Sequence, residues 1–160
     1  MGKLSLIILF LTAVTNSQSQ GNTKIDAVAL VDITEKADFA CLNKLVSSLN
    51  YLVLDSSKSS DGSVFYFTKE PKIHGNTLAC STDSKIKIKE LTFMTFIQEN
   101  YQDFKAQLKQ IGFKSSGIHK GNTTKMIESE DFEKGKVVVA TAIRKYEDGS
   151  VVYEFTFLKW

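Results

Sequence analysis

The chain has 160 residues, 42% of them hydrophobic, with a single proline and a formal charge of +2. That composition excludes a disordered or low-complexity protein. A charge so near neutrality argues against electrostatic capture of nucleic acid or of an anionic membrane surface, so neither is expected as a partner.

The first element is a leader. Lys3 is the only charged residue before Lys24, and Leu4 to Val14 is almost wholly apolar. As a helix that run would rise about 16 Å, against a hydrocarbon core of about 30 Å. It is too short to span. It matches a basic n-region, a short h-region and a small-residue cleavage site, and Ser17-Gln18-Ser19 predicts a cut between Ser19 and Gln20. Residues 1–19 are expected to be a secretory signal peptide, and 20–160 a single exported domain, periplasmic or extracellular, with no membrane span after cleavage. No cysteine at the cleavage site offers a lipid acceptor. Removal of Lys3 takes the charge from +2 to +1, and about 140 residues suffice for one proper core.

Helical spacing next appears from about Thr34 to Leu49, where Phe39, Leu42, Val46 and Leu49 form one stripe. Asn50 follows at the left-handed stop, then Tyr51. Four strand-like runs come after it: Tyr51–Asp55, Ser63–Thr68, Thr77–Ser81 and Lys85–Met94. Asp61-Gly62 is a strong hairpin turn, and the polar stretch Asp55–Gly62 reads as a flexible hairpin tip suited to recognition.

A second helix is predicted over Phe96–Ile111, with Ile97, Tyr101, Phe104, Leu108 and Ile111 as its stripe. Thr95 and Gln98 have capping-box spacing, and Gly112 with Phe113 provides the stop. Strand-like runs follow at Phe113–His119, Thr124–Ser129, Lys136–Lys145 and Val151–Leu158, with Asp148-Gly149 as a hairpin turn. On Val137–Ile143 both faces are apolar, which predicts an interior strand. Val151, Tyr153, Phe155 and Phe157 line one face of its partner, as core.

The two helices superpose at a shift of 62, Phe39 on Tyr101 through Tyr51 on Phe113. Short links permit only antiparallel neighbours. The expected fold is therefore α+β: two helix-plus-antiparallel-meander halves, about 33–94 and 95–160, around one core, read as an internal repeat. Such an architecture resembles periplasmic inhibitor-like and PepSY-like domains, a likeness of fold that does not fix function.

Chemistry-bearing residues are sparse. Cys41 and Cys80 are the only cysteines. In an exported protein they point to a disulfide, which would contribute roughly 4 kcal/mol in the chain-entropy model. The alternative is two free thiols acting as small apolar groups. His74 and His119 lack metal-ligand spacing, there is no Gly-x-Ser-x-Gly elbow, and no glycine-rich phosphate loop occurs, so no cofactor is expected. Glu128, Glu130, Asp131 and Glu133 cluster around Phe132; paired acids can cleave glycosides, but the run before Gly135 reads first as a solvated loop. Lys85, Lys87 and Lys89 alternate with Ile86 and Ile88, which on a strand makes a three-lysine face. That face would suit an acidic partner or simply deter edge-to-edge aggregation. Asn122-Thr123-Thr124 is a glycosylation sequon.

The function these residues support is an exported, non-catalytic domain binding a protein or small-molecule ligand. The alternatives are a small exported hydrolase using carboxylates or histidines, and an inhibitor or immunity-type protein.

Overall fold

A computed structural model describes residues 24–69, 75–121 and 125–160. The segment 1–19 expected to be a signal peptide, His74 and the Asn122–Thr124 sequon lie outside them. Among the described residues the chain is mixed α+β, as expected: three helices and one antiparallel sheet of eight strands. No helix there is long and apolar enough to cross a membrane.

In chain order the elements are α1 (Ala27–Lys36), α2 (Phe39–Ser48), β1 (Leu52–Ser59), β2 (Gly62–Thr68), β3 (Thr77–Asp83), β4 (Ile88–Thr95), α3 (Gln98–Gln110), β5 (Lys114–Lys120), β6 (Met126–Lys134), β7 (Val137–Lys145) and β8 (Val151–Lys159). The sheet order is β1-β2-β3-β4-β8-β7-β6-β5, every neighbour antiparallel. Each of α2 and α3 is thus followed by a four-strand meander, and the last strands, β4 and β8, pair at the centre. β1 and β5 are left as edges.

The helices lie on one face of the sheet. Across that face runs the register Phe67–Leu78–Phe93–Phe155–Thr141–Glu130. A second row, Phe65–Cys80–Leu91–Phe157–Val139–Phe132, lies beside it. Period-two alternation points these residues inward, and most are fully buried. Tyr101, Phe104 and Leu108 of α3 press onto them. Phe104 stacks on Phe93 at 4.7 Å and Phe155 meets Phe104 at 4.9 Å and Tyr101 at 5.1 Å. The aromatic face of β8 is core, as its alternation predicts.

α2 and α3 end alike. Asn50 (φ 58°) and Gly112 (φ 93°) adopt the left-handed conformation. The Asn50 and Tyr51 N–H groups donate to Ser47 and Val46; those of Gly112 and Phe113 donate to Lys109 and Leu108. Both are Schellman caps, and Tyr51 and Phe113 fold back into the core.

Four expectations need correction. The single helix expected from Thr34 is two helices, broken where Ala37 turns left-handed (φ 51°) and Asp38 caps α2 through the Ala40 and Cys41 N–H groups. Asp38 is a better N-cap than a helix-interior residue, and the Ala37 carbonyl is taken by the Ile88 N–H at 3.2 Å. α1 itself, with Ala27, Leu30, Val31 and Thr34 at helical spacing, packs against β4, β7, β8 and both other helices. The Thr95–Gln98 capping box is not formed: Ile97 is the N-cap, and Thr95 Oγ1 accepts from the Ile97 N–H and Asn100 Nδ2 instead. The polar stretch from Asp55 is strand as far as Ser59, leaving only Ser60-Asp61 as the turn. Lastly, the acidic run through Glu133 is strand β6 rather than a solvated loop, because Glu130 and Phe132 face inward between β5 and β7.

The expected disulfide is corrected as well: both thiols are free. Cys80 is buried on the inward face of β3. Cys41 is exposed on α2, off the Leu42–Val46 stripe, and its Sγ donates to Asp38 Oδ2 at 3.1 Å. Burial pushes the Cys80 thiol up to about 12, so it remains a neutral, small apolar group.

Candidate functional site

The lysine run lies at the β1–β4 end of the molecule, and its geometry differs from a plain strand. β4 starts only at Ile88. Lys85 and Ile86 belong to the β3–β4 turn, and Lys87 makes an isolated bridge to Asp38. Asp83 organises the turn: its Oδ1 accepts the Lys85 and Lys87 N–H groups at 2.8 Å each, its carbonyl accepts the Ile86 N–H at 3.0 Å, and its own N–H donates to the Lys87 carbonyl. The Lys87 and Lys85 N–H groups hold the Asp83 carboxyl below the usual carboxylate range despite an opposing desolvation. Alternation therefore fails here. Ile88 is buried, Ile86 is 57% exposed, and the three lysines are exposed without sharing one strand face.

Ile86 sits at φ 62°. A β-branched side chain in the left-handed region is a true outlier, costing of order 1–2 kcal/mol. Such strain usually persists where a surrounding network over-determines it. The Asp83 hydrogen bonds are that network.

Beside Ile86 the inward face of the sheet runs past the helices, and a cleft of about 550 Å³ opens between the β1–β2 hairpin and the β3–β4 turn. Ser56, Lys58, Ser63 and Phe65 line it from the hairpin, Ser84 and Ile86 from the turn. Phe65 is braced by Phe39 at 4.5 Å. The hairpin turns tightly because Gly62 (φ 149°) has no Cβ; one added there would fall 1.8 Å from the Thr82 carbonyl oxygen.

At the opposite end the inward face holds a charged cluster. Glu130 pairs with Lys105 of α3 through Oε2 and accepts from Ser115 Oγ of β5 at 2.5 Å through Oε1. The Lys105 and Glu130 side chains are only 12% and 4% exposed. Thr141 Oγ1 donates to the Glu130 carbonyl at 2.9 Å and lies 3.3 Å from the Tyr101 hydroxyl. Burial pushes Glu130 up, but Lys105 and Ser115 more than offset it and hold the carboxyl below its ordinary value. Burial likewise pulls Lys105 down, and Glu130 outweighs it, so the ammonium stands above an ordinary lysine. Both groups stay charged at neutral pH. A carboxylate held low is a weak base, and general-base work wants a pKa near the operating pH. What the cluster does is fasten α3 to β5 and β6.

Sequence reasoning singled out Glu130 only as one of an acidic run; the lysine, serine and threonine around it come from other elements and carry no shared sequence signal. His119 is exposed on edge strand β5, opposite Ser129. Among the described residues no group of three or more His, Cys, Asp or Glu is placed to hold a metal ion. Comparison of the chain with family models, with curated proteins and with solved structures gives no match in any of the three.

Proposed function

We propose that the protein is an exported, non-catalytic binding domain, and that the β1–β4 end carries the binding surface. The observation behind this is the exposed, left-handed Ile86 held between Lys85 and Lys87 at the rim of an open cleft. Backbone strain at a residue whose side chain gains nothing from burial is stability forgone by the fold, and such sites cluster where function requires them. The lysines of this turn are the interaction surface expected from sequence.

A photoreactive side chain in place of Lys87 tests the reading in cells that produce the protein. A saturable cross-link competed by excess unlabelled protein is expected, and the same group placed at exposed Lys109 on α3 should give none. Equal labelling at both positions would remove the support for a localised surface. The leader reading is tested by the mass of the natively produced protein, which should lack residues 1–19.

The hydrolase alternative would centre on Ser115 and Glu130, and the charge state that Lys105 imposes on Glu130 weighs against it. Hydrolysis of ester, glycoside or peptide panels that is abolished in Glu130→Gln would reinstate it. We also propose that the two halves arose by duplication. The matching Schellman caps and the paired last strands support this, and relatives whose halves fail to align at those cap positions would count against it.

A further inference from the structure

We infer that the cleft beside the Ile86 turn binds a neutral saccharide, held by serine hydroxyls and two apolar side chains. The inference rests on the binding reading above and names the ligand class of that surface.

The cleft lies over the inward face of the β1–β2 hairpin, where the sheet runs past the helices. Register sets its floor: Ser56 stands opposite Phe65 and Lys58 opposite Ser63, all four on the face that carries Phe67. Asp83, Ser84 and Ile86 of the β3–β4 turn form its wall. A ligand seated there meets side chains, because the main-chain groups between β1 and β2 lie in the plane of the sheet and bond to each other.

Charge balances across this lining. Its charged residues are Lys58 and Asp83, one of each sign. Two main-chain N–H groups keep Asp83 ionised, so neither an anion nor a cation is selected. Hydroxyls dominate instead, since six of the eleven lining residues are serines. Ser59 and Ser60 use theirs within the hairpin tip. Those of Ser56, Ser63 and Ser84 make no hydrogen bond among the described residues. A hydroxyl both donates and accepts, and so does every alcohol of a sugar. An apolar ligand would strip water from these groups and return no hydrogen bond, which is costly.

Phe65 and Ile86 complete the site by offering apolar surface to the C–H face of a sugar ring. Both are fixed before any ligand arrives. Phe39 packs on Phe65 at 4.5 Å, and the Asp83 hydrogen bonds hold the left-handed turn at Ile86. Such preparation lowers the ordering cost of binding. At about 550 Å³ the cleft has the size of a small-molecule site.

The test titrates the purified, isotope-labelled protein with neutral sugars and follows its amide NMR shifts. Glucose, galactose, mannose and N-acetylglucosamine form one arm; maltohexaose, cellohexaose and chitohexaose form the other. Saturable shifts at Ser56, Ser63 and Ser84, unchanged by added salt, are expected with at least one probe. A response to the first arm marks a free sugar, and a response confined to the second marks a polymer. Ser56→Val/Ser63→Val, with β-branched residues suited to strands, should keep Tm and weaken binding about tenfold or more. Ser81→Val on the opposite face of β3 should leave binding unchanged. The inference is overturned if no probe saturates, if the double variant binds as tightly as the parent, or if only anionic polygalacturonate binds. A Lys87 cross-link to a protein without saccharide binding would overturn the saccharide inference and spare the β1–β4 surface. Absence of both would sink the two together.

Discussion

The two ends of the sheet are built on one plan and finished differently. Each has a helix closed by a Schellman cap and a four-strand meander running out to an edge. At the β5 end, Lys105, Glu130 and Ser115 tie helix to strands below the surface, and Lys134 Nζ donates to the Ile111 carbonyl at the helix terminus. The edge strand there is itself broken by a register shift between Ser115 and Ile118 and ends in Lys114 and Lys120, devices that discourage strand addition. At the β1 end the helices meet the strands through main-chain links, the Ile88 N–H on the Ala37 carbonyl and the Lys87–Asp38 bridge, and among the described residues no buried ion pair joins them. Leu52, Val53 and Leu54 are each about 60% exposed, and the neighbouring turn holds Ile86 in strain. A buried polar network costs desolvation and returns a fixed geometry; an exposed apolar edge beside a strained turn returns nothing to the monomer. One end is thus tied together below the surface, while the other exposes an apolar edge and holds backbone strain.

Substitutions at the two ends test that contrast. Phe155→Ala removes the ring where the halves meet and should cost about 4 kcal/mol, with a single unfolding transition in urea by both fluorescence and circular dichroism. Two transitions would mean that the halves are independent and the comparison is between two domains. Glu130→Ala leaves Lys105 buried without its partner and should cost about 3 kcal/mol, whereas Lys87→Ala at the other end should change stability by less than about 0.5 kcal/mol. Equal losses at the two ends would erase the contrast.

The pH dependence follows from the same pair. Glu130 is depressed, so its contribution is complete above the unfolded carboxyl value of about 4.3 and is lost as pH falls through the lower folded value. Lys105 is raised, so its contribution is complete below about 10.4 and is lost as pH rises through the higher folded value. Urea midpoints measured from acid to alkaline pH should show both losses, and Glu130→Gln with Lys105→Met should flatten them. Gly62→Ala should cost about 2 kcal/mol, since the new Cβ collides with the Thr82 carbonyl. The smallest effect has the opposite sign: Ile86→Gly should gain up to about 1 kcal/mol, the relief of left-handed strain less the entropy of glycine, seen as a rise in Tm. A fall in Tm would show that Ile86 serves the fold.

Much of the architecture was legible locally. The stripes of α2 and α3, the Asn50 and Gly112 stops and the inward aromatics of β8 depend on neighbours within a few residues, so spacing alone locates them. β6 beyond Ser129 was not legible, because an acidic run reads as solvated until Lys105, 25 residues earlier in the chain, supplies the counter-charge that lets Glu130 turn inward. α1 was hidden by the apparent continuity of one longer helix; the break at Ala37-Asp38 is held by Ile88 and Lys87, more than forty residues downstream.

Local pattern settled the α+β class, the Asn50 and Gly112 stops and the core-facing residues of α2, α3 and β8, because hydrophobic periodicity and left-handed stops depend on near neighbours. The tertiary structure alone decided which lysines stand together, which glutamate is buried and which isoleucine is strained and exposed. Those are pairings between residues distant in sequence, set by how the strands register against one another, and no local pattern contains them.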